Sequence, residues 1–199
     1  MYEHETRLAS QGYQIIAGID EAGRGPLAGP VVAAAVILPF DIRIEGINDS
    51  KKLSEKKRTC LYRDICAYAI VGVGIINEKI IDEVNIYQAA RMAMREAVLD
   101  LNKKPDYLLI DGPMSIDLEI EAIGIVGGDR LSASIAAASI VAKVTRDTLM
   151  MGLHEKYPHY GLDRHKGYPT KEHIALLEEH GISPIHRQSF GPVKKLLQA

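Results

Sequence analysis

An apolar run that ends in two adjacent acids, within residues 15 to 30, places the strongest limit on how this chain can fold. The run from Ile15 to Ile19 is rich in β-branched residues and predicts a short buried strand. Asp20 and Glu21 follow it directly, and two carboxylates at the end of a buried strand repel each other and lose contact with water. They require a cation, a hydrogen-bonding partner or protonation, and a divalent metal ion is the most economical of these.

The two acids also demand a change in the backbone. Successive side chains of a regular strand point to opposite faces, so Asp20 and Glu21 cannot face one metal centre unless the backbone bends at Glu21. Gly23 and Gly25 supply that freedom and allow another backbone, such as a nucleic-acid strand, to come close. An ordinary tight turn with surface acids is the alternative, and the flanking apolar runs count against it.

The same stretch fits a second pattern. Gly23, Gly25 and Ala28 have the spacing of a dinucleotide-binding fingerprint whose last glycine is relaxed to alanine. That fingerprint must open a helix, whereas residues 30–38 form an apolar, valine-bearing run that predicts another strand. The context therefore favours a strand-turn-strand hairpin.

Two later acids occupy comparable positions. Asp111 ends an apolar run and is followed by turn residues. Sites in open α/β sheets collect outside the carboxyl ends of parallel strands, so Asp111 meets Asp20 if its strand lies parallel to and beside the first. Asp129 precedes a helix of small residues, where the helix macrodipole favours a negative charge. The alternative for Asp111 is an aspartate that starts a turn, and the alternative for Asp129 is a simple acid at a helix N-terminus. The helix of small residues is expected to lie very close to the sheet.

Any binding of a polyanion must use a local group of cations, because the formal net charge of the chain is −2. Residues 49–58 supply such a group. Ser50, Lys51 and Lys52 precede a helix that Ser54 can cap, and a hydroxyl with nearby lysines can hold a phosphate backbone. A solvated helix start is the alternative.

Length and composition indicate one globular domain. The chain has 199 residues, of which 47% are hydrophobic, enough for one sizeable core. It contains no run of about 18 uncharged apolar residues, and its polar amino terminus is unlike a secretory signal, so we expect a cytoplasmic protein. Cys60 and Cys66 lie too far apart on one predicted helix to form a disulfide, which fits a reducing compartment.

Hydrophobic periodicity predicts the elements that surround these motifs. Further strands are expected at residues 70–76 and around 123–126. A helix is expected from Ser54 to about residue 69, with Leu61, Ile65 and Tyr68 on its inner face. Other helices are expected at residues 82–101 and from the cap Thr170 to Gly181.

Residues 18–31, with the sequence GIDEAGRGPLAGPV, resemble the signature of the type 2 ribonucleases H, the bacterial ribonuclease HII family. Four further stretches resemble motifs of that family and follow one another in the family's order. They are NDSKKL at 48–53, residues 134–147, HKGY at 165–168 and HRQSF at 186–190. The resemblance covers nearly the whole chain, from about residue 14 to the end. A match of this length is far more specific than a spaced glycine pattern.

The resemblance implies an α/β, ribonuclease H-like fold with a central mixed five-stranded sheet flanked by helices and a helical C-terminal region. Its first three strands run antiparallel. The catalytic domain is expected at residues 14–199, with 150–199 as its helical part, after an N-terminal lead at 1–13. The implied enzyme is an endonuclease that uses Mg²⁺ or Mn²⁺ to cut the RNA strand of RNA·DNA hybrids. It also cuts 5′ to single ribonucleotides in duplex DNA, leaving 3′-hydroxyl and 5′-phosphate ends.

The resemblance also implies roles for individual residues. It assigns catalysis and metal binding to Asp20, Glu21, Asp111 and Asp129. The ribonucleotide 2′-hydroxyl and the cleavage junction would contact Gly23, Arg24, Gly25 and Tyr168. Candidates for contact with the phosphate backbone are Ser50, Lys51, Lys52, Lys143, Arg146 and Arg187.

One position departs from the family pattern. Gly127 stands where the family usually has a lysine before Gly128 and Asp129. We expect a monomer that binds hybrid and ribonucleotide-containing duplexes and no membrane, and the sequence leaves a sliding-clamp contact open. The alternative functions are a dinucleotide-binding oxidoreductase and a non-catalytic nucleic-acid-binding module.

Overall fold

A five-stranded mixed sheet forms the centre of the computed structural model, which describes residues 1–47, 50 and 53–198. The strand order is β3-β2-β1-β4-β5. Strand β2 pairs antiparallel with β1 and with β3, while β4 pairs parallel with β1 and with β5. The predicted sheet and its antiparallel first three strands are confirmed. The strands are β1 Ile16–Ala22, β2 Val31–Ile37, β3 Ile70–Ile76, β4 Tyr107–Asp111 and β5 Glu121–Ile125.

Helices cover both faces of the sheet and form the C-terminal region. One face packs on α4, through its buried alanines and Met94, and the other packs on α5. The predicted caps are present, since Ser54 accepts a bond from the Lys57 N–H and Thr170 from the His173 N–H. The helices are α1 Glu3–Ser10, α2 Glu55–Tyr68, α3 Glu78–Val84, α4 Ile86–Leu99, α5 Ala133–Lys156, α6 Leu162–His165, α7 Lys171–His180 and α8 Gly191–Leu197.

Two details of the predicted helices are wrong. The helix expected at residues 82–101 is divided between α3 and α4 at Asn85, whose φ of 72° interrupts the helical backbone. The Asn85 side chain then caps α4 by accepting bonds from the N–H groups of Tyr87 and Gln88. Tyr68, expected on the inner face of α2, is exposed, because the helix ends there.

Strand β1 is longer and more regular than predicted. It continues through both acids, with Asp20 opposite Ala34 and Glu21 opposite Ala33 on β2. The expected bend at Glu21 is therefore absent, and the two side chains point to opposite faces of the sheet. The chain turns only afterwards, at Gly23, whose φ is 97°.

Helix α5 lies unusually close to β1, as its small residues predicted. A Cβ atom added at Gly18 would lie 2.1 Å from the carbonyl carbon of Ser134. The N-terminus of α5 is also held by Glu5 of α1, whose Oε1 accepts bonds from the hydroxyl and the N–H of Ser134 and from the hydroxyl of Ser132. Helix α5 is thus fixed at the depth at which its side chains reach the end of β1.

Two further sequence expectations concern the chain as a whole. Cys60 and Cys66 are both free thiols on α2. Among the residues described, no helix combines the length and the apolarity that crossing a bilayer requires.

Candidate active site

Asp20 lies near the end of β1 on the side of the sheet that faces α5, and it is 6% exposed. Its Oδ1 accepts a hydrogen bond from the Glu21 N–H at 2.7 Å. The hydroxyl of Ser139, on α5, lies beside this carboxylate. Burial raises the pKa of Asp20 well above its usual range, and the negative charges of Glu21 and Asp111 raise it further. Burial and the neighbouring negative charges therefore both act against the charged form of Asp20.

Glu21 occupies the other face of the sheet but the same strand end. Its Oε1 pairs with the Arg24 guanidinium at 3.2 Å, while its Oε2 is buried without a hydrogen bond from any described residue. Burial raises the pKa of Glu21, the pairing with Arg24 opposes that shift, and the charge of Asp111 adds to it. An orphaned carboxylate oxygen of this kind is a position that a cation would satisfy.

Asp111 reaches the same region because β4 lies parallel to β1, with Ile110 opposite Ile19. This parallel pairing is the arrangement required to bring together residues that lie far apart in the sequence. The Oδ1 atom of Asp111 accepts a bond from the Gly128 N–H at 2.7 Å. That bond ties the end of β4 to the loop that carries the fourth acid.

Asp129 lies on a 3-10 turn, Gly128–Arg130, just before α5, and it is 4% exposed. The Arg130 guanidinium lies 3.8 Å from its Oδ1. Gly127 precedes the turn with a left-handed φ of 67°. The bond between Gly128 and Asp111 places this turn beside the end of β4.

The donor set fits a hard divalent cation. Carboxylate oxygens are the ligands that Mg²⁺ and Mn²⁺ prefer, and the mutual repulsion of Asp20, Glu21 and Asp111, together with the orphaned oxygen of Glu21, is relieved by positive charge. Within residues 1–47, 50 and 53–198, however, no three His, Cys, Asp or Glu side chains are gathered closely enough to hold one ion. Convergence of all four acids on metal therefore stays a prediction.

A polar cleft of about 230 Å³ opens beside the first two acids. Its lining includes Asp20, Glu21, Ala22 and Ser139. Six of the predicted substrate-contacting residues also line it: Gly23, Arg24, Gly25, Ser50, Lys143 and Tyr168. The Lys143 ammonium lies 5.8 Å from the centre of the Tyr168 ring and pairs with Asp147 at 2.7 Å. The structure thus brings an aromatic ring, a cation and a glycine loop to one side of the carboxylates.

Two of the other phosphate candidates, Arg146 and Arg187, do not line this cleft. Arg146 and Arg187 are completely buried, and their guanidinium groups donate to main-chain carbonyls. A group that is enclosed in this way cannot touch a phosphate, so the predicted backbone contact is replaced by a structural one. Lys51 and Lys52 lie outside the described residues.

Sequence reasoning missed the part played by Ser139. Its hydroxyl lies beside Asp20 and 2.9 Å from the hydroxyl of Ser50, so one buried serine stands between a candidate metal ligand and a candidate phosphate contact. The signal was present in the sequence: a serine on the alanine-rich, buried face of α5 needs a polar partner there. The sequence did not indicate which partner.

Comparisons relate this chain to known proteins. The ribonuclease HII family model matches residues 17–193. A ribonuclease HII of Bacillus cereus is 55% identical over 199 residues, which make up 100% of this chain and 77% of the relative. The solved ribonuclease H2 of Pyrococcus horikoshii OT3 has a TM-score of 0.79 at 28% identity, over 93% of this chain and 98% of the other. Bst-RNase HIII in complex with Mn²⁺ has a TM-score of 0.69 over 94% of this chain and 70% of the other, and at 18% identity it shows the fold alone.

Proposed function

Because this chain belongs to the ribonuclease HII family, and is therefore a metal-dependent ribonuclease H, we propose that it cuts nucleic acid at ribonucleotides. The substrates are the RNA strand of RNA·DNA hybrids and single ribonucleotides within duplex DNA. Cleavage falls 5′ to the single ribonucleotide and leaves 3′-hydroxyl and 5′-phosphate ends. The observation that carries the proposal is the shared cleft, in which buried carboxylates, the loop Gly23 to Gly25 and the Tyr168 ring lie side by side.

The carboxylates provide the chemistry of phosphodiester hydrolysis through the ions that they bind. Asp20, Glu21, Asp111 and Asp129 would hold Mg²⁺ or Mn²⁺, which activates water and neutralises the charge that develops on the phosphate oxygens. The Glu21 N–H holds Asp20 by a hydrogen bond, and the Ser139 hydroxyl lies beside the same carboxylate. The regular β1 and β4 strands supply the rigid base that holds the acids in place.

Discrimination between RNA and DNA requires a contact with the 2′-hydroxyl. The loop from Gly23 to Gly25 offers main-chain N–H groups beside the acids, and the side chain of Arg24 is already held by Glu21. The Tyr168 ring stands against this loop, since a Cβ added at Gly25 would lie 3.7 Å from it. We assign the sugar at the junction to the space between loop and ring, and the neighbouring phosphate to Lys143.

The alternative enzyme class fails on a structural ground. A dinucleotide fingerprint needs a helix directly after its glycines, whereas residues 31–37 form strand β2. The non-catalytic module predicts binding without cleavage, and the experiment below separates it from the nuclease.

The test is cleavage of an end-labelled DNA duplex that carries one ribonucleotide, in Mg²⁺ or Mn²⁺. We expect one cut 5′ to the ribonucleotide, and none in an all-DNA duplex or with the Asp111→Asn protein. An RNA·DNA hybrid serves as the second substrate. Binding of both substrates without any metal-dependent cut would favour the non-catalytic module and overturn the proposal.

A further inference from the structure

A fully buried arginine supports the loop that lies beside the acids. Arg187, on the segment before α8, donates three side-chain hydrogen bonds to this loop, which comprises residues 23–30. Its Nη2 donates to the Gly23 carbonyl at 2.7 Å, its Nη1 to the Arg24 carbonyl at 3.1 Å and its Nε to the Gly29 carbonyl at 2.9 Å. The Arg187 N–H also donates to the Leu27 carbonyl at 2.8 Å. One residue therefore fixes four carbonyl groups of a single loop.

These bonds decide where the N–H groups of the loop point. In a planar trans peptide the C=O of one residue and the N–H of the next point in opposite directions, and the described residues contain no cis peptide bond. Because the Gly23 carbonyl is directed to Arg187, the Arg24 N–H is directed away from it. The Arg24 carbonyl fixes the Gly25 N–H in the same way. Two consecutive N–H groups thus project from the side of the loop that is opposite Arg187.

The orientation of this loop explains an arginine at position 187 better than a contribution to stability does. All of its side-chain acceptors are neutral carbonyl oxygens, and burial, followed by the nearby charge of Arg146, lowers the pKa of Arg187 to about 9. It still carries its charge at neutral pH, in a place where a charge is expensive to bury. A planar guanidinium presents donors in a rigid fork, which a lysine ammonium does not. The fork matches the two consecutive carbonyls of Gly23 and Arg24.

We propose that Arg187 is a positioning residue for ribonucleotide recognition, which acts by holding the Arg24 and Gly25 N–H groups towards the sugar. The inference rests on the function proposed above and adds to it a residue that never touches the substrate. Without the fork, the two peptide units can rotate, and the loop loses its preference for a strand that carries a 2′-hydroxyl. Binding that depends on the phosphates alone is unaffected.

The experiment compares the affinity of the protein for two duplexes, one with a single ribonucleotide and one of DNA only, in Ca²⁺ so that neither is cut. The variant is Arg187→Lys, which keeps a positive charge and loses the fork. The matched control is Val193→Ala, a fully buried residue of the neighbouring α8. We expect the preference for the ribonucleotide duplex to fall about tenfold in Arg187→Lys, the order of effect of one or two hydrogen bonds, while Val193→Ala keeps it.

The affinity for the all-DNA duplex should be the same in all three proteins, and kcat/KM on the ribonucleotide duplex should fall in parallel with the preference. An unchanged preference in Arg187→Lys overturns the proposal. If neither Arg187→Lys nor Arg187→Gln unfolds cooperatively, Arg187 serves folding alone and the proposal is likewise overturned. Failure of the proposed function has a separate signature, because the unaltered protein would then show no preference and no cleavage.

Discussion

The buried carboxylate of Asp20 lowers the stability of the folded protein when no cation is bound. Its carboxylate is buried beside two other acids, and the pKa of Asp20 is raised by burial first and by Glu21 and Asp111 next. At neutral pH the charged form is therefore held at a cost to the folded state when no cation is bound. Functional sites commonly contain such unfavourable groups, and replacing them stabilises the protein while activity is lost.

We predict that Asp20→Asn raises the free energy of unfolding and abolishes cleavage. Asparagine keeps the shape of the side chain and removes one of the repelling charges, so the gain should be about 1 kcal/mol in a metal-free buffer, typical of a stabilising substitution. The loss of a metal ligand should lower kcat/KM by about 1000-fold or more. Denaturant unfolding in EDTA and cleavage in Mn²⁺ measure the two effects. A less stable Asp20→Asn protein would contradict the argument.

The buried arginines mark the limit of residue-level prediction. Arg146 and Arg187 lie in segments with a clear family resemblance, and a positive charge near a nucleic-acid site suggests contact with phosphate. Their burial depends on how the C-terminal helices pack on the β1–β2 loop, which no local pattern reveals. The positions of Asp20 and Asp111 near strand ends were easier to predict, since each acid lies at the end of an apolar run whose burial is visible in the sequence.

At the scale of elements, the contact between α5 and β1 determines where Ser139 and the Asp129 turn stand. This contact depends on the absence of a side chain at Gly18, where an added Cβ would lie 2.1 Å from the Ser134 carbonyl carbon and 2.2 Å from the Ile135 nitrogen. Both neighbours are backbone atoms, so the clash cannot be relieved by rotating a side chain. The whole helix must move away from the strand.

We predict that Gly18→Ala destabilises the protein by about 1–3 kcal/mol, the usual cost of overpacking a core, and lowers kcat through the displacement of Ser139 from Asp20. Thermal unfolding and cleavage kinetics measure these effects. The matched control is Gly152→Ala, on α5 itself, where an added Cβ meets nothing within 4 Å. That change should stabilise the helix by up to about 1 kcal/mol and leave kcat unchanged. Equal effects of the two substitutions would show that the close approach is unimportant.

Elements were predictable where periodicity and capping agreed. The caps at Ser54 and Thr170 follow from patterns that act within a few residues. The division between α3 and α4 was missed because apolar residues lie on both sides of Asn85 in the sequence, and nothing there indicates its φ of 72°. The length of β1 was missed because its pairing with β2 overrides the polarity of Asp20 and Glu21.

For the whole molecule, the site depends on one topological fact, the parallel pairing of β4 with β1. Apolar runs indicate strands, but they do not indicate which strands are neighbours. The meeting of Asp20 and Asp111 could therefore be stated only as a condition until the family resemblance supplied the topology. The loop that bears Asp129 joins them through the Gly128 N–H, a contact between segments with no shared local signal.

The C-terminal region is joined to the cleft by a network of three buried histidines. His173 Nδ1 donates to the Tyr168 carbonyl at 3.0 Å, so its Nε2 must accept from His186 Nε2, 3.2 Å away. His186 Nδ1 then accepts from the N–H and the hydroxyl of Ser183. His165 accepts from the Gly167 N–H and donates to the Tyr160 carbonyl. Every ring is neutral in this pattern, because each uses one nitrogen as donor and the other as acceptor.

Protonation must therefore weaken the region that holds Tyr168 in place. Burial lowers the pKa of all three histidines, and the pKa of His186 falls to about 4, with repulsion from His173 in its protonated form as the next cause. An unfolded histidine titrates near 6.5. Between these two values the unfolded chain binds more protons than the folded chain, so stability falls as the pH is lowered. The contribution is fully present above pH 6.5 and is lost progressively towards pH 4.

We predict that His186 alone lowers the free energy of unfolding by about 2 kcal/mol between pH 7 and pH 5. The His186→Gln protein keeps a donor and an acceptor but cannot titrate, so its stability should fall less steeply over this interval. Carboxylates with a raised pKa, such as Asp20 and Glu21, act in the opposite direction and are common to both proteins, so the difference between the two slopes isolates the histidine. Denaturant unfolding at several pH values measures the slopes, and an NMR titration of the His186 ring gives its pKa directly. Identical slopes, or a ring that titrates near 6.5, would show that the buried network does not link acid to the loss of the fold around Tyr168.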